Sequence, residues 1–486
     1  MEAASSDCKQ RTLPPAEELT GTVTPVPMAT LAPIPDAAIE DDGLVRVLLQ
    51  SLNLPRTMNL TLAGAYAVDG DPGFRFDRGT RVAISEGDGR VYLAVGGLTI
   101  DMGTALTLTR HRTGEGEENG VYIDESEKDA LYPGDLTVSA DGGGLRAVLK
   151  LPVEEYLCGV VAYEMSDSFP IEALKAQAVA ARTYAMQRKW QSAGRDYDLV
   201  DTTADQVFKG VSYEYANVIE AVEATKGVVG LYGGRFAVCY YTASNGGQTA
   251  LASQAFGIAD NDGYLAMTDD PYDLENPKSL QNTLAVTSDC EGSEALREML
   301  EDGLGAALSK EGYGEGEWEL DSIVAVRPVN PRFEGSKQYE GLAFELRAKL
   351  LAPVATEAPT EGPSLAPSPE PSKASTAAPT AEPVIATAAG TAAMPTAPDE
   401  PRPTPTEAPR EWVLSEETYT VTLDVYDQIK DGLKLGLNGT DYELIDVETE
   451  RGSDGDPERF TLVMRRFGHG VGMSQRGAQR MAGHYG

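Results

Sequence analysis

The sequence predicts an α+β protein with a β-rich N-terminal part, a central two-helix unit and a mixed β C-terminal part. Short β-branched runs separated by Gly and Asp turns fill residues 43–152, a pattern typical of strands. Apolar residues recur at helical spacing after Pro152, which indicates helices. Strand-like runs return in TYTVTLDV, LKLGLNG and RFTLVMRRF. A chain of 486 residues is long enough to bury one or two substantial cores.

The N-terminal residues 1–40 are rich in Pro, Thr and Ala and predict a disordered leader. We expect order to begin near Gly43 and a first domain segment to cover 41–351. The leader has no apolar core of a signal peptide, and no run of the chain is apolar enough to span a bilayer. Both a trimmed exported protein and a cytosolic one fit these features.

The central unit is predicted as two helices, from about 153 to 163 and from 171 to about 193. Residues 166–170 separate them with Ser, Asp and Pro, which favour helix caps and first turns. Glu172 lies near the start of the second helix, while Arg188 and Lys189 lie near its end. The helix dipole favours that arrangement. Glu164 falls at the junction of the two helices.

The remaining chain predicts further short elements around one unusual segment. We expect helices at 215–225 and 296–308, a hairpin turning at Gly233-Gly234, and strands in SIVAVRPV and AFELRAKLL. Residues 352–410 hold 14 of the 30 prolines, a composition that predicts disorder. This segment is either a linker or an insertion. A last domain segment, 411–486, ends just after a specific loop–helix signal, so we expect the chain to be truncated there.

Composition excludes several classes of function. The net charge of −36, from 76 acidic and 40 basic residues, opposes nucleic-acid binding. The four cysteines are scattered without a CxxC, and the three histidines do not lie at ligand spacing. We therefore predict no metal and no cofactor. The sequence also lacks a GxSxG elbow, a P-loop and an HExxH motif, which leaves chemistry based on a carboxyl group.

Glu164 is the candidate catalytic residue. It follows an apolar helix face and precedes Met165 and Phe169, and an apolar setting raises a carboxyl pKa toward the range of a general acid. Lys175 and Arg182, seven apart on one helical face, are candidates to orient Glu164 or bind substrate oxygens. The alternative is structural: Glu164 caps the next helix or pairs with Arg182.

Two loops offer further candidate binding groups. YTASNGG supplies Tyr241, Ser244 and Asn245, groups that sugar sites use to fix orientation. An ordinary turn explains the same residues. GHGVGMSQ places glycines around His469 and leads to Gln475, which predicts a close backbone crossing. A structural role and a role in binding are both open for this loop.

Five separated motifs occur in one order: the run EEYLCGVVAYEMSDSFPIEALKAQAVAARTYA, its lead-in LKLPVEEYL, AVEATKG, YTASNGG and GHGVGMSQRGA. In this the chain resembles the SpoIID/LytB family over about residues 43–345 and 411–486. The resemblance implies a peptidoglycan lytic transglycosylase that cuts the MurNAc–GlcNAc β-1,4 bond of denuded glycan strands and leaves 1,6-anhydroMurNAc ends. It also implies a cell-envelope location outside the cytoplasm, in sporulation or wall remodelling, with a cell-wall amidase as partner.

The resemblance assigns roles to individual residues. Glu164 matches the family's Glu of the Glu-Met motif, the general acid and base, while Lys175, Arg182 and Tyr241 match residues beside it. Among the departures from the family pattern, Ser166 replaces the usual Pro, and residues 198–210 contain no Cys or His, so the zinc site of some members is not expected. Two other functions stay open, a non-catalytic glycan-binding enhancer of an amidase and a structural surface protein.

Overall fold

The computed structural model describes residues 43–71, 73–114, 117–127, 130–258, 263–353, 409–439 and 441–485. The predicted leader lies outside these residues, as does 354–408 of the predicted proline-rich segment. The chain forms two compact units, one reaching Ser279 and resuming at Gly470, the other spanning Leu280–His469. Helices and several sheets confirm the α+β class.

The described residues up to Ser279 form mostly short strands together with five α-helices. The strands are β1 (Leu44–Leu48), β2 (Thr57–Leu62), β3 (Tyr66–Val68), β4 (Arg75–Phe76), β5 (Arg81–Gly87), β6 (Arg90–Val95), β7 (Leu98–Asp101), β8 (Ala105–Arg110), β9 (Val121–Ile123), β10 (Asp135–Asp141), β11 (Gly144–Pro152), β12 (Leu199–Val200), β13 (Leu231–Tyr232), β14 (Arg235–Phe236) and β15 (Tyr241–Thr242). The helices are α1 (Val153–Glu164), α2 (Ile171–Gln191), α3 (Ala216–Ala224), α4 (Ala252–Phe256) and α5 (Pro271–Glu275), with a 3₁₀ turn at Gln50–Leu52.

From Leu280 onward most of the strands are longer. They are β16 (Gln281–Thr287), β17 (Trp318–Pro331), β18 (Tyr339–Pro353), β19 (Arg410–Leu414), β20 (Tyr419–Asp424), β21 (Leu444–Arg451), β22 (Pro457–Arg465) and β23 (Met473–Ser474). The helices are α6 (Glu294–Glu311) and α7 (Gln475–Tyr485), and a π-helical segment spans Val425–Gly432.

The first unit is built on two sheets. A seven-stranded sheet has the order β12-β1-β11-β10-β8-β3-β4, and a five-stranded sheet has the order β7-β6-β5-β2-β9. Alternate residues are buried, such as Val45 and Val47 in β1 and Val82 and Ile84 in β5, as the two-residue period of a strand requires. Strands of the two sheets contact each other, and their core continues into α1, α2 and α3.

The predicted two-helix unit is confirmed as α1 and α2. α1 ends because Met165 is extended and buried. The link is held by Asp167, whose carboxylate accepts the Val218 N–H at 2.9 Å at the start of α3. Small buried residues such as Ala178 and Ala181 line α2, which lets α1 and α3 pack closely against it. The junction that carries Glu164 is therefore fixed on both sides.

The second unit packs α6 against sheets of its own. Leu296, Leu300, Leu304 and Leu308 are fully buried, and this four-residue spacing places them on one helical face. The Ser293 side chain accepts the Leu296 N–H at the start of α6, a standard N-cap. β16, β22 and β21 form one sheet, while β17, β18, β19 and β20 form another.

The proline-rich segment leaves and re-enters the second unit at one place. Pro353 of β18 lies directly opposite Arg410 of β19 in an antiparallel pair. Residues 354–408 therefore connect two paired strand ends, which favours an insertion over a linker between units. Its predicted bounds were too wide, because Ala352, Pro353 and Arg410 belong to strands.

Two other expectations differ from the structure. LKLGLNG, residues 433–439, was predicted as a strand but forms a turn and a bend directly after the π-helical segment. Its alternation is real, since Leu435 is buried and Lys434 is exposed, but Lys434 has a left-handed φ of 57° that a strand cannot contain. The predicted segments 41–351 and 411–486 also differ from the compact units, which divide after Ser279 and after His469. No change of composition marks those points.

Candidate active site

Glu164 is the last residue of α1 and is half-buried. Burial raises the pKa of its carboxyl, and hydrogen bonds from Gln475 and Tyr241 partly oppose that shift. The Gln475 Nε2 atom donates to Glu164 Oε2 at 3.2 Å. The C-terminal end of a helix also disfavours a negative charge. The hydrogen-bond partners of the carboxyl, the Gln475 amide and the Tyr241 phenol, are both neutral. The surroundings therefore favour the protonated form of Glu164.

The two predicted loops meet to place these partners. β15 and β23 pair in parallel, with Tyr241 opposite Met473 and Thr242 opposite Ser474. α7 begins directly afterwards, at Gln475. Three segments far apart in sequence, around 164, 241 and 475, therefore meet at one carboxyl.

The close crossing predicted for GHGVGMSQ is confirmed at Gly472. Its φ is +77°, and a Cβ atom there would lie 2.1 Å from the Tyr240 carbonyl oxygen. The Met473 N–H donates to that same oxygen at 3.0 Å. Only glycine fits a positive φ with a backbone this close, so Gly472 sets the spacing between the two loops.

Gln177 of α2 lies behind Gln475. It is fully buried, and its Oε1 atom accepts from Gln475 Nε2 at 3.5 Å. The Gln177 Nε2 atom is buried and has no hydrogen-bond partner among the described residues. Gln177 therefore orients the amide that faces Glu164. A glutamine within an alanine-rich, apolar helix face is the feature of the sequence that could have indicated this role.

A second polar network lies behind Tyr241. The Gln206 Nε2 atom donates to the Tyr241 hydroxyl at 3.4 Å, and the Tyr156 hydroxyl donates to Gln206 Oε1 at 3.4 Å. Tyr156 and Gln206 are buried. Burial raises the pKa of Tyr241, with the nearby Glu164 charge adding to the effect. Tyr241 thus stays a neutral phenol beside the carboxyl.

Asp273, which the sequence did not single out, joins the two loops. It is fully buried. Its carboxylate accepts from Ser244 Oγ at 2.7 Å, from the Asn245 N–H at 2.7 Å and from Ser474 Oγ at 2.5 Å. Ser279 Oγ donates to it at 2.9 Å. Because Ser474 precedes Gln475, this buried carboxylate fixes the start of α7.

Ser244 and Asn245 were predicted to bind substrate, and the structure gives them another role. Their exposed fractions are 1% and 0%. Ser244 bonds Asp273, and the Asn245 Nδ2 atom donates to Asp270 at 2.8 Å. Their polar groups shape the loop from inside, so the interpretation of YTASNGG as a structured turn is the better one for these two residues.

The predicted contact between Arg182 and Glu164 is also wrong. The Arg182 side chain is 1% exposed and pairs with Glu154 at 2.6 Å. It also donates to the carbonyl oxygens of Val222 and Val228. Glu154 and Glu164 lie at opposite ends of α1, about 15 Å apart at the rise of a helix. Arg182 therefore ties α2 to α1 and to the end of α3.

Lys175 and His469 stay predictions as binding residues. The Lys175 Nζ atom lies 2.7 Å from Glu172, one turn earlier in α2, and its side chain is 30% exposed. His469 is half-buried and directly precedes Gly470. Among the described residues, no group of three or more His, Cys, Asp or Glu side chains could hold a metal ion. In the same part of the chain, no helix is long and apolar enough to cross a membrane.

Comparison with known proteins finds a match to one family over part of the chain. Residues 141–232 match the SpoIID family, described as stage II sporulation protein. This match contains α1, α2 and Glu164 and ends before the two loops. The chain thus carries a SpoIID segment, and the predicted resemblance to the SpoIID/LytB family is confirmed.

Individual relatives agree with this class. The chain is 42% identical over 100 residues to the amidase enhancer of Bacillus subtilis, covering 21% of this chain and 13% of the relative. It is 33% identical over 148 residues to stage II sporulation protein D of the same organism, covering 27% and 43%. An uncharacterised protein of Brachyspira hyodysenteriae is 39% identical over 129 residues, covering 26% and 35%. The chain thus spans less than half of each relative's length.

Proposed function

We propose that this protein is a peptidoglycan lytic transglycosylase that cuts the β-1,4 bond between MurNAc and GlcNAc in denuded glycan strands. The observation that carries the proposal is the setting of Glu164. Its carboxyl is half-buried, its pKa is raised, and its hydrogen-bond partners are the neutral groups of Gln475 and Tyr241. A carboxyl that keeps its proton near neutral pH can act as a general acid.

One carboxyl is sufficient if the attacking group belongs to the sugar. Glu164 donates its proton to the bridging oxygen as the bond from that oxygen to C1 of MurNAc breaks. The oxygen of the MurNAc 6-hydroxyl then bonds C1, and its proton passes to the Glu164 carboxylate. The products are a free GlcNAc 4-hydroxyl and a 1,6-anhydroMurNAc end, and Glu164 regains its proton. Glycosidases that use water need a second carboxyl.

Gln475 and Tyr241 would act on this cycle through Glu164. Their hydrogen bonds stabilise the carboxylate that forms after the first proton transfer. Gln177 and Gln206 hold these two groups from behind. In this proposal Gln475 and Tyr241 are positioning residues, because their described contacts are to Glu164 and to groups behind it.

The family also supports where the reaction takes place. Relatives are named as a stage II sporulation protein and as an amidase enhancer, so we propose a cell-wall role outside the cytoplasm. Lys175 and His469 remain candidates to contact the glycan. A cell-wall amidase, which removes stem peptides, would supply denuded strands.

Digestion of glycan strands tests the proposal. Purified denuded strands are incubated with the protein, and the product ends are identified by mass spectrometry. We expect anhydro ends with the wild type and with Glu220→Gln, which changes an exposed carboxyl of α3, and none with Glu164→Gln. If the folded wild type yields no anhydro ends, the enzymatic proposal fails.

The second candidate is a non-catalytic enhancer that binds glycan and stimulates an amidase. It is favoured by the name of the Bacillus subtilis relative, amidase enhancer. The two candidates differ at Glu164. An enhancer would stimulate amidase release of stem peptides equally well with Glu164→Gln, whereas a transglycosylase would lose glycan cleavage with that change.

A further inference from the structure

A polar cleft of about 460 Å³ lies in the first unit, apart from the Glu164 carboxyl. It is bordered by the ends of β8 and β11 and by the first turn of α1. Its lining includes Arg110, His111, Arg112, Lys150 and Tyr213. His111 is one of the three histidines of the chain, and the proposed function does not use it.

The acidic groups of this cleft already have partners in the protein. Glu155 accepts from Arg110 Nη1 at 2.9 Å, and Asp135 accepts the Arg110 N–H at 2.8 Å. Glu117 lies 4.0 Å from Arg78 and accepts the Gly114 N–H at 3.3 Å. Each of these carboxylates therefore has a hydrogen-bond or ion-pair partner within the protein.

Two cations of the cleft differ from these acids. Arg112 and Lys150 are exposed, and within the described ranges neither forms an ion pair or a side-chain hydrogen bond. The cleft lining contains three cations and three carboxylates in all. Because Arg110 is paired with Glu155, Arg112 and Lys150 are the cations that are left to meet a ligand.

One further group suits a ligand. The Tyr213 side chain is 53% exposed, so an apolar ring face borders the charged groups. A ligand that combines an oxyanion with a sugar or polyol body would satisfy both features.

The cleft is separate from the Glu164 site. Glu155 lines the cleft, and Glu164 lies nine residues later in α1. At 1.5 Å and 100° per residue these positions are about 13.5 Å apart and half a turn out of phase. They therefore face opposite sides of α1, and one bound sugar cannot contact both.

We propose that this cleft binds an oxyanion group, phosphate or carboxylate, of a polyol or sugar polymer. Arg112 and Lys150 provide the charge, and Tyr213 provides a face for the carbon skeleton. The site would anchor the protein to an anionic polymer while Glu164 remains available. The proposal does not depend on catalysis by Glu164.

Binding measurements with the full chain test the site. The probes are a fluorescent glycerol-phosphate oligomer, a fluorescent oligogalacturonate that carries carboxylates, and a neutral chitin oligosaccharide. The double variant Arg112→Gln/Lys150→Gln removes both cations. Its matched control, Arg75→Gln/Lys310→Gln, removes the same charge from exposed positions outside the cleft. Thermal unfolding of both variants verifies that they are folded.

We expect at least one anionic probe to bind, and the cleft variant to weaken its affinity roughly tenfold or more, since charge-assisted contacts are lost. The control should stay within about twofold, and the stronger probe identifies phosphate or carboxylate. Three results would overturn the site: neither anionic probe binds, both double variants weaken binding equally, or only the neutral sugar depends on the cleft. Glycan cleavage by the cleft variant should match the wild type, which separates this test from that of the proposed function.

Discussion

Removing the Asp273 carboxylate should destabilise the protein strongly, although this residue lies outside the proposed chemistry. It is fully buried and accepts hydrogen bonds from Ser244, Asn245, Ser279 and Ser474. Asp273→Ala would leave these four donors unsatisfied. At about 1 kcal/mol for each bond, the free energy of unfolding should fall by about 4 kcal/mol. That is a large part of the stability of a typical domain.

Urea denaturation measures this loss, with Ser279→Ala as a control that removes a single donor and should cost about 1 kcal/mol. The loss of unfolding free energy for Asp273→Asn should lie between those of Asp273→Ala and Ser279→Ala. The amide keeps one acceptor oxygen but turns an N–H group toward donors. In the fraction of Asp273→Ala that stays folded, Gln475 should be misplaced and glycan cleavage reduced. A loss of stability no greater than that of Ser279→Ala would refute the joining role of Asp273.

Three further changes test other parts of the account. Gly472→Ala should lower the free energy of unfolding by well over the roughly 1–2 kcal/mol that a left-handed φ alone costs. The control in thermal unfolding is Gly234→Ala, because Gly234 has the same φ of +77° but open space around it. Arg182→Met should reduce the free energy of unfolding by about 3–5 kcal/mol by leaving a buried carboxylate unpaired. The affinity of folded Arg182→Met for glycan should equal that of the wild type. A loss of affinity without a loss of stability would support the predicted role of Arg182 in binding substrate. Tyr241→Phe removes a hydrogen bond that lowers the raised pKa of Glu164, so that pKa should rise further. Because the reaction needs the protonated acid, the fall of kcat with rising pH should move to higher pH, and a shift to lower pH would contradict the assignment.

Local sequence patterns predicted much of the first unit. The β-branched runs, the break at 166–170 and the apolar spacing around Leu157 all depend on short-range preferences, and the strands and α1 and α2 follow them. Glu164 was singled out from its apolar surroundings, and its raised pKa agrees with that reasoning. The two polar loops supplied Tyr241 and Gln475 as candidates, and the structure places both against Glu164.

The errors concern partners far apart in sequence. Lys175 and Arg182 share a helical spacing, but spacing cannot tell which carboxylate Arg182 meets, and it meets Glu154 rather than Glu164. Asp273 lies in a short helix without an unusual pattern, so its links to Ser474, about 200 residues later, were not predictable. The polar side chains of a Gly-rich loop also suggest exposure, whereas the buried Asp273 carboxylate holds Ser244 and Asn245 inside the loop.

The end groups of digested glycan test the central claim most directly. Denuded strands are digested in water enriched in ¹⁸O, and mass spectrometry compares wild type, Glu164→Gln and Glu220→Gln. The account predicts 1,6-anhydroMurNAc ends without ¹⁸O for the wild type and Glu220→Gln, and no new ends for Glu164→Gln, since the sugar's own hydroxyl attacks C1. Reducing ends that contain ¹⁸O, or anhydro ends that persist in Glu164→Gln, would contradict it.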